Sequence, residues 1–83
     1  LLQNYPNPFN PSTAIAFTLA EAGPVRLSVY DQLGREAARL SDESLPAGTP
    51  TRSWSGANAP SGSYYYRLTA GRFGATRRML LIK

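Results

Sequence analysis

The sequence contains no cysteine and no histidine, and these two absences remove most of the side chains that carry enzyme chemistry. Without cysteine there is no disulfide, no reactive thiolate and no iron–sulfur ligand. Without histidine the commonest general base and a principal zinc ligand are missing. Of the five acidic residues, the adjacent Asp42 and Glu43 should point apart on an extended chain, so they form no acid–base pair. We therefore predict a protein that is not an enzyme and binds no cofactor.

Long apolar runs are also lacking. No stretch approaches the roughly 20 residues that a membrane-spanning helix needs, and no signal peptide is present. The chain starts with Leu1 rather than methionine, so we expect a fragment of a longer protein. Its 83 residues suffice for one small hydrophobic core, and a single domain is predicted over residues 1–83.

Acidic residues are few, which leaves a net charge of +4. Such a balance favours contact with an acidic surface, but it more often serves solubility. Only Arg72, Arg77, Arg78 and Lys83 lie close together in the sequence. A nucleic-acid interface would need a basic stripe with exposed aromatic residues, and the five acidic residues argue against one. Nothing resembling a calcium-loop spacing surrounds the acidic residues, so no metal site is predicted.

The first twelve residues, here called the Pro/Asn segment, contain three closely spaced prolines. Proline fixes φ, removes a hydrogen-bond donor and favours extended backbone before it, so this segment can be neither helix nor central strand. We expect an extended, kinked ribbon along a sheet edge, with Tyr5 and Phe9 as apolar anchors and the asparagines bonded to nearby backbone. The candidate residues of this segment are Asn4, Pro6, Asn7, Pro8, Phe9, Asn10 and Pro11.

Most of the remaining chain alternates apolar and polar residues, which is typical of half-buried strands. Strands are predicted over residues 13–19, 25–30, 35–40, 49–54, 63–70 and 75–83, with a polar connector at 41–48 and a hairpin turn at 71–74. The predicted inward residues are Ile15, Phe17, Leu19, Val25, Leu27, Val29, Trp54, Tyr64, Tyr66 and Leu68. About seven short strands with frequent turns predict an all-β fold, an immunoglobulin-like β-sandwich of two antiparallel sheets.

The closing strand carries apolar residues on both faces, so its register stays open. Either Met79 and Leu81 face the core, or Leu80 and Ile82 do, and we favour the first arrangement. On pattern alone this stretch is either a fully buried strand or a strand that a partner recognises at its edge. It is the sharpest functional candidate in the sequence.

Several motifs occur in a fixed order along the whole chain. They are Asn4-Tyr-Pro-Asn-Pro-Phe-Asn-Pro-Ser-Thr13, Val29-Tyr-Asp31 with Leu33-Gly-Arg-Glu36, Leu45-Pro-Ala-Gly-Thr49, Trp54, Ser61-Gly62 with Tyr64-Tyr-Tyr-Arg-Leu68, and Ala75–Lys83. Together they resemble the type A C-terminal sorting domain of the type IX secretion system. The resemblance implies the same immunoglobulin-like fold and a non-catalytic role in secretion.

In that family the domain directs a larger N-terminal cargo across the outer membrane of a Gram-negative bacterium to the cell surface. The partners that the resemblance implies are the outer-membrane translocon, a sortase-like peptidase and the anionic lipopolysaccharide to which the cargo is joined. The last strand belongs to the sorting signal and must lie at the end of the chain. The implied recognition residues are therefore Arg77, Arg78, Met79, Leu80, Leu81, Ile82 and Lys83.

A different function is suggested by the aromatic residues Trp54, Tyr64, Tyr65 and Tyr66, since planar rings stack on sugars in carbohydrate-binding modules of secreted polysaccharide-degrading enzymes. Against this, all but Tyr65 fall on the inward phase of their strands and should belong to the core. A third possibility is a structural spacer domain.

Overall fold

The computed structural model describes residues 1–83 and consists of six β-strands without a helix. The strands are β1 (Ser12–Ala16), β2 (Gly23–Tyr30), β3 (Glu36–Leu45), β4 (Thr51–Ser55), β5 (Gly62–Ala70) and β6 (Phe73–Leu81). β1 and β4 form a two-stranded antiparallel sheet, and the others form a four-stranded antiparallel sheet in the order β3-β2-β5-β6. The predicted all-β, immunoglobulin-like sandwich of two sheets is confirmed, with six strands where about seven were expected. No helix of a length and apolarity suited to crossing a membrane occurs.

The core lies between the two sheets and is supplied by the inward phase of every strand except β3. All ten residues predicted to face inward are buried. In β6, Met79 and Leu81 are buried as well, whereas Ile82 is 50% exposed. Met79 lies directly opposite Tyr64 in the ladder between β5 and β6. The favoured register of the closing strand is therefore confirmed.

Most strand boundaries lie within two residues of those predicted, and two of them differ by three residues or more. β3 extends to Leu45, so residues 41–45 of the predicted polar connector at 41–48 are strand, and that prediction was wrong. Its polar residues are accommodated because β3 is an edge strand with exposed positions, where Asp42 pairs with Arg26 of β2 at 3.5 Å. β1 ends at Ala16, three residues earlier than predicted, although Leu19 still bonds through its backbone to the segment before β4.

The turn between β2 and β3 is organised by one aspartate. Asp31 Oδ1 accepts hydrogen bonds from the backbone N–H groups of Leu33 and Arg35, at 2.9 and 3.0 Å. Its other oxygen accepts one from Arg35 Nε at 2.9 Å, and Gly34 takes a positive φ of 80°, which glycine adopts at little cost. The backbone hydrogen bond from Arg35, above all, holds the pKa of the Asp31 carboxyl below its usual range.

Replacing Asp31 with alanine should lower Tm more than replacing it with asparagine, because the amide oxygen can still accept both backbone hydrogen bonds. A carboxyl whose pKa is lowered by folding stabilises the protein above its unfolded pKa, and that contribution is lost as pH falls through the folded pKa. The Tm difference between wild type and Asp31→Asn should therefore shrink on acidification. Thermal denaturation at neutral and acidic pH tests this, with Glu21→Gln, which removes an acid without an ion pair, as the control. Equal Tm values for the two Asp31 variants would contradict it.

Candidate functional site

The Pro/Asn segment lies along the free edge of β1. Leu2 N–H donates to the carbonyl of Ala16 at 3.0 Å. Tyr5 and Ala14 exchange both of their backbone hydrogen bonds, each at 2.9 Å. The segment thus adds an irregular third strand to the two-stranded sheet, as the prediction of an edge ribbon required.

The same segment also bonds to the end of β6. Phe9 N–H donates to the carbonyl of Leu80, and Ile82 N–H donates to the carbonyl of Phe9, both at 3.0 Å. Leu80 N–H donates to the side-chain Oδ1 of Asn7 at 3.0 Å. The two candidate regions, far apart in sequence, are therefore one structural unit in which the segment closes the sandwich between β1 and β6.

Two side chains extend this contact towards the middle of β6. Gln3 Nε2 donates to the carbonyl of Arg78 at 3.0 Å, and Arg77 Nε donates to the carbonyl of Leu1 at 2.9 Å. The outer backbone edge of β6 is consequently covered from the Arg78 carbonyl to Ile82.

Phe9 fixes the Pro/Asn segment to the core. Its ring is 2% exposed and meets Trp54 edge-on, with 5.8 Å between ring centroids. Tyr5, predicted as a second anchor, is 82% exposed, so that prediction was wrong. Only its backbone is engaged, in the pair with Ala14, and the ring is left in solvent.

The hydroxyl of Tyr66 joins the segment to β5. It donates to the carbonyl of Leu2 at 2.9 Å and accepts from the backbone N–H of Asn4 at 2.8 Å. Burial raises the pKa of this phenol. Sequence reasoning placed Tyr66 in the core but missed this role, although a buried tyrosine generally needs a hydrogen-bond partner.

The predicted hydrogen bonds of the asparagines are met in different ways. Buried Asn4 donates from Nδ2 to the carbonyl of Pro6 at 3.1 Å and to Thr13 Oγ1 at 3.0 Å. Asn7 bonds across to β6 instead of to nearby backbone, and exposed Asn10 makes no hydrogen bond. The prediction of local bonding is thus confirmed for Asn4 alone.

A glycine after β4 allows the segment and β6 to approach each other. Gly56 N–H donates to the carbonyl of Pro11 at 2.7 Å. A Cβ at Gly56 would lie 2.7 Å from Leu81 Cδ2, closer than carbon atoms can pack. Any larger residue there would displace Leu81 or the segment, a role that the sequence alone did not reveal.

The seven predicted recognition residues are divided by burial. Met79 and Leu81 are in the core, and Leu80 is half-buried. The exposed members are Arg77, Arg78, Ile82 and Lys83. Lys83 Nζ donates to the carbonyl of Ala57 at 2.7 Å, so the last residue is held against the loop after β4.

The aromatic residues do not form a sugar-binding platform. Trp54, Tyr64 and Tyr66 are buried, and of the four residues considered only Tyr65, at 38%, is exposed. An open cleft of about 490 Å³ lies over Trp54 and Tyr64, but its lining is mainly polar loop residues. No group of three potential metal ligands is present.

These features define a small β-sandwich whose first segment and last strand are joined at one edge. A family model described as "Secretion system C-terminal sorting domain" matches residues 3–83, and the chain belongs to this family. The chain is thus a C-terminal sorting domain for type IX secretion, which places it in a secreted or cell-surface protein. No curated protein and no solved structure matches the chain significantly.

Proposed function

We propose that this domain carries a larger N-terminal cargo across the outer membrane of a Gram-negative bacterium and brings it to the cell surface, without catalytic activity of its own. The observation that carries the proposal is the backbone pairing of Phe9 with Leu80 and Ile82. Through it, the segment that would follow the cargo and the last strand form one folded unit. A partner that binds this strand therefore holds the cargo at its junction.

The proposed recognition residues remain Arg77, Arg78, Met79, Leu80, Leu81, Ile82 and Lys83. Burial gives them separate tasks. Met79 and Leu81 fix the position of the strand in the core, and the exposed residues contact the partner. An apolar side chain beside several cations suits recognition by a surface that is part apolar and part acidic.

We further propose that the partners are the outer-membrane translocon and a sortase-like peptidase, which joins the released cargo to anionic lipopolysaccharide. The pairing of the Pro/Asn segment with its neighbours limits where the peptidase can cleave. The backbone of the segment is hydrogen-bonded to β1 at Leu2 and Tyr5 and to the end of β6 at Phe9, and a protease needs an extended, unpaired substrate. Cleavage is therefore expected before this segment.

A reporter fusion tests the proposed function. A signal peptide, a fluorescent protein and this domain are expressed in a host that has the secretion machinery, with and without a short polar tail after Lys83. We expect the first fusion at the cell surface and the tailed one in the periplasm, still folded. If both fusions remain inside, or both reach the surface alike, the proposal is wrong.

Single substitutions refine the same assay. Ile82→Ser should reduce surface display severalfold, because it removes the exposed apolar side chain of the proposed contact. Leu33→Ser, which changes an equally apolar and more exposed residue in the β2–β3 turn, is the matched control and should leave display unchanged. Circular dichroism of both purified domains shows whether folding is preserved. Equal display of both variants would assign recognition to other residues.

A further inference from the structure

β6 is an edge strand, and its outward backbone groups are fixed by the alternation of an antiparallel ladder. Leu80 directs both its N–H and its carbonyl away from β5, towards Asn7 and Phe9. Counting back by twos, Arg78, Thr76 and Gly74 direct theirs the same way. The backbone groups of these four residues therefore form the free edge of the sheet.

Only part of this edge is covered. The last outward backbone group of β6 that the Pro/Asn segment reaches is the Arg78 carbonyl, through Gln3, since Arg77 contacts Leu1 only through its side chain. The outward N–H and carbonyl groups of Gly74 and Thr76, and the N–H of Arg78, bond to no other group of the chain. A row of backbone donors and acceptors from Gly74 to Arg78 is thus open to another strand.

The opposite edge of the same sheet is protected where β6 is not. β3 pairs with β2 through two register shifts, and such bulges discourage pairing with a further strand. Its charged residues are also held in ion pairs, among them Arg39 with Glu36 and Asp42 at 3.2 Å each. β6 pairs with β5 over nine residues without a register shift. Of the two edges, β6 has the regular geometry that strand addition requires.

Charged residues are also distributed unevenly between the two halves of the chain. All five acidic residues of the chain precede β5, and all five ion pairs involve arginines of that part. The β5–β6 hairpin and the residues after it contain no acidic side chain and carry five basic ones: Arg67, Arg72, Arg77, Arg78 and Lys83. The open edge therefore lies in a strongly positive part of the surface.

Two of these arginines lie on the face of the sheet that points away from the core, beside the open backbone groups of β6. Arg67 lies opposite Thr76 and donates from Nη1 to Thr76 Oγ1 at 3.0 Å. Its Nη2 is 3.0 Å from where a Cβ on Gly74 would be, so the absence of a side chain there lets the guanidinium reach the edge. Arg78 lies opposite Tyr65 and donates to Ser63 Oγ at 3.1 Å.

We propose that an acidic β-strand of a partner protein adds to β6 along Gly74–Arg78. Its backbone would bond to the open groups, and carboxylates at alternate positions would lie beside Arg67 and Arg78. The inference rests on the proposed function, for which it names the chemistry of the partner's contact. The incoming strand must end where Gln3 covers the Arg78 carbonyl.

A second copy of the chain fits this edge poorly. Two β6 edges would bring like charges together, which opposes pairing. Pairing of β6 with β3 of another copy would require a bulged strand whose carboxylates already bond to arginines. A separate acidic protein remains the occupant that the charges favour.

The test uses a short synthetic peptide of alternating glutamate and threonine, titrated into the 83-residue chain and followed by NMR. We expect amide exchange to slow at Gly74, Thr76 and Arg78, and the affinity to fall with salt. Thr76→Pro removes an outward N–H that β5 does not use, and should weaken binding about tenfold. The same loss is expected for the double variant Arg67→Gln and Arg78→Gln.

The matched control is the double variant Arg26→Gln and Arg39→Gln, which removes the same charge from arginines that are paired with carboxylates. It should leave peptide affinity unchanged. Three results would each overturn the inference: unaltered binding when the peptide is N-methylated at alternate residues, equal binding of a peptide in which lysine replaces glutamate, or association of the chain with itself through this edge. So would the absence of peptide binding.

The reporter assay separates this inference from the proposed function. If the untailed fusion is displayed and the tailed one is not, sorting by the end of the chain stands whatever the peptide does. If Thr76→Pro is then displayed as well as wild type, strand addition is overturned while the proposed function survives. A fusion that is never displayed, together with edge-specific peptide binding, would leave the inference standing and reject the proposed function.

Discussion

Replacing Phe9 with alanine is expected to lower the free energy of unfolding by about 3–5 kcal/mol. The phenyl ring is enclosed between the sheets and packs against Trp54, and a small domain cannot readily collapse around such a cavity. Since small domains are stabilised by roughly 5–15 kcal/mol in total, this one substitution could leave much of the protein unfolded.

Urea denaturation monitored by Trp54 fluorescence measures the loss. Tyr5→Ala is the matched control, because it truncates an aromatic ring of the same segment that is exposed to solvent. It should change stability by no more than about 0.5 kcal/mol. Equal losses for the two variants would show that the ring of Phe9 contributes no more than that of Tyr5. Any folded Phe9→Ala protein should also exchange the Ile82 amide faster, because that amide donates to the Phe9 carbonyl.

The contrast between Phe9 and Tyr5 shows where sequence reasoning reached its limit. In regular strands alternation assigns each side chain to a face, and the inward residues of five strands were predicted correctly. The Pro/Asn segment has no regular period, so both aromatic residues appeared equally suited to the core. Which ring is buried depends on the pairing of Tyr5 with Ala14 and of Phe9 with Leu81, and neither pairing follows from the residues of the segment itself.

The prediction for the second half of β3 was wrong for a related reason. Residues 41–44 are polar and carry no alternation, which by itself indicates a loop. They form strand because β2 offers partners directly opposite, with Arg26 beside Asp42 and Leu27 beside Ser41. Tertiary pairing overrides weak local preference most readily at sheet edges, where side chains need not be apolar.

The Pro/Asn segment and the closing strand were predicted as two separate candidate regions. They form one site because backbone hydrogen bonds join them, and no local sequence pattern predicts those bonds. Apolar residues on both faces of β6 left its register open, and packing of Met79 and Leu81 in the core settled it. From the sequence Gly56 is an ordinary loop glycine, and its role follows only from the close approach of the Leu81 side chain. The sequence also did not predict that the Pro/Asn segment covers part of the β6 edge. This contact determines which part of the edge stays open.

Tyr66→Phe should lower the free energy of unfolding by about 1–3 kcal/mol, the usual cost of leaving buried hydrogen-bonding groups unpaired. The phenol serves two backbone groups at once, the N–H of Asn4 and the carbonyl of Leu2, and phenylalanine can serve neither. Tyr65→Phe is the control from the neighbouring position, since Tyr65 is exposed and its hydroxyl makes no hydrogen bond within the chain. It should leave stability unchanged, and a loss equal to that of Tyr66→Phe would contradict the assignment.

The same hydroxyl gives the protein a predictable response to alkali. Burial raises the pKa of Tyr66, so the folded state holds this proton more tightly than the unfolded state does. Its contribution is fully present below the unfolded pKa of about 10 and is lost as pH rises through the higher folded pKa. The stability difference between wild type and Tyr66→Phe should therefore be constant near neutral pH and decrease at alkaline pH. A stability difference that stayed constant throughout this pH range would show that the Tyr66 phenol is not the responsible group.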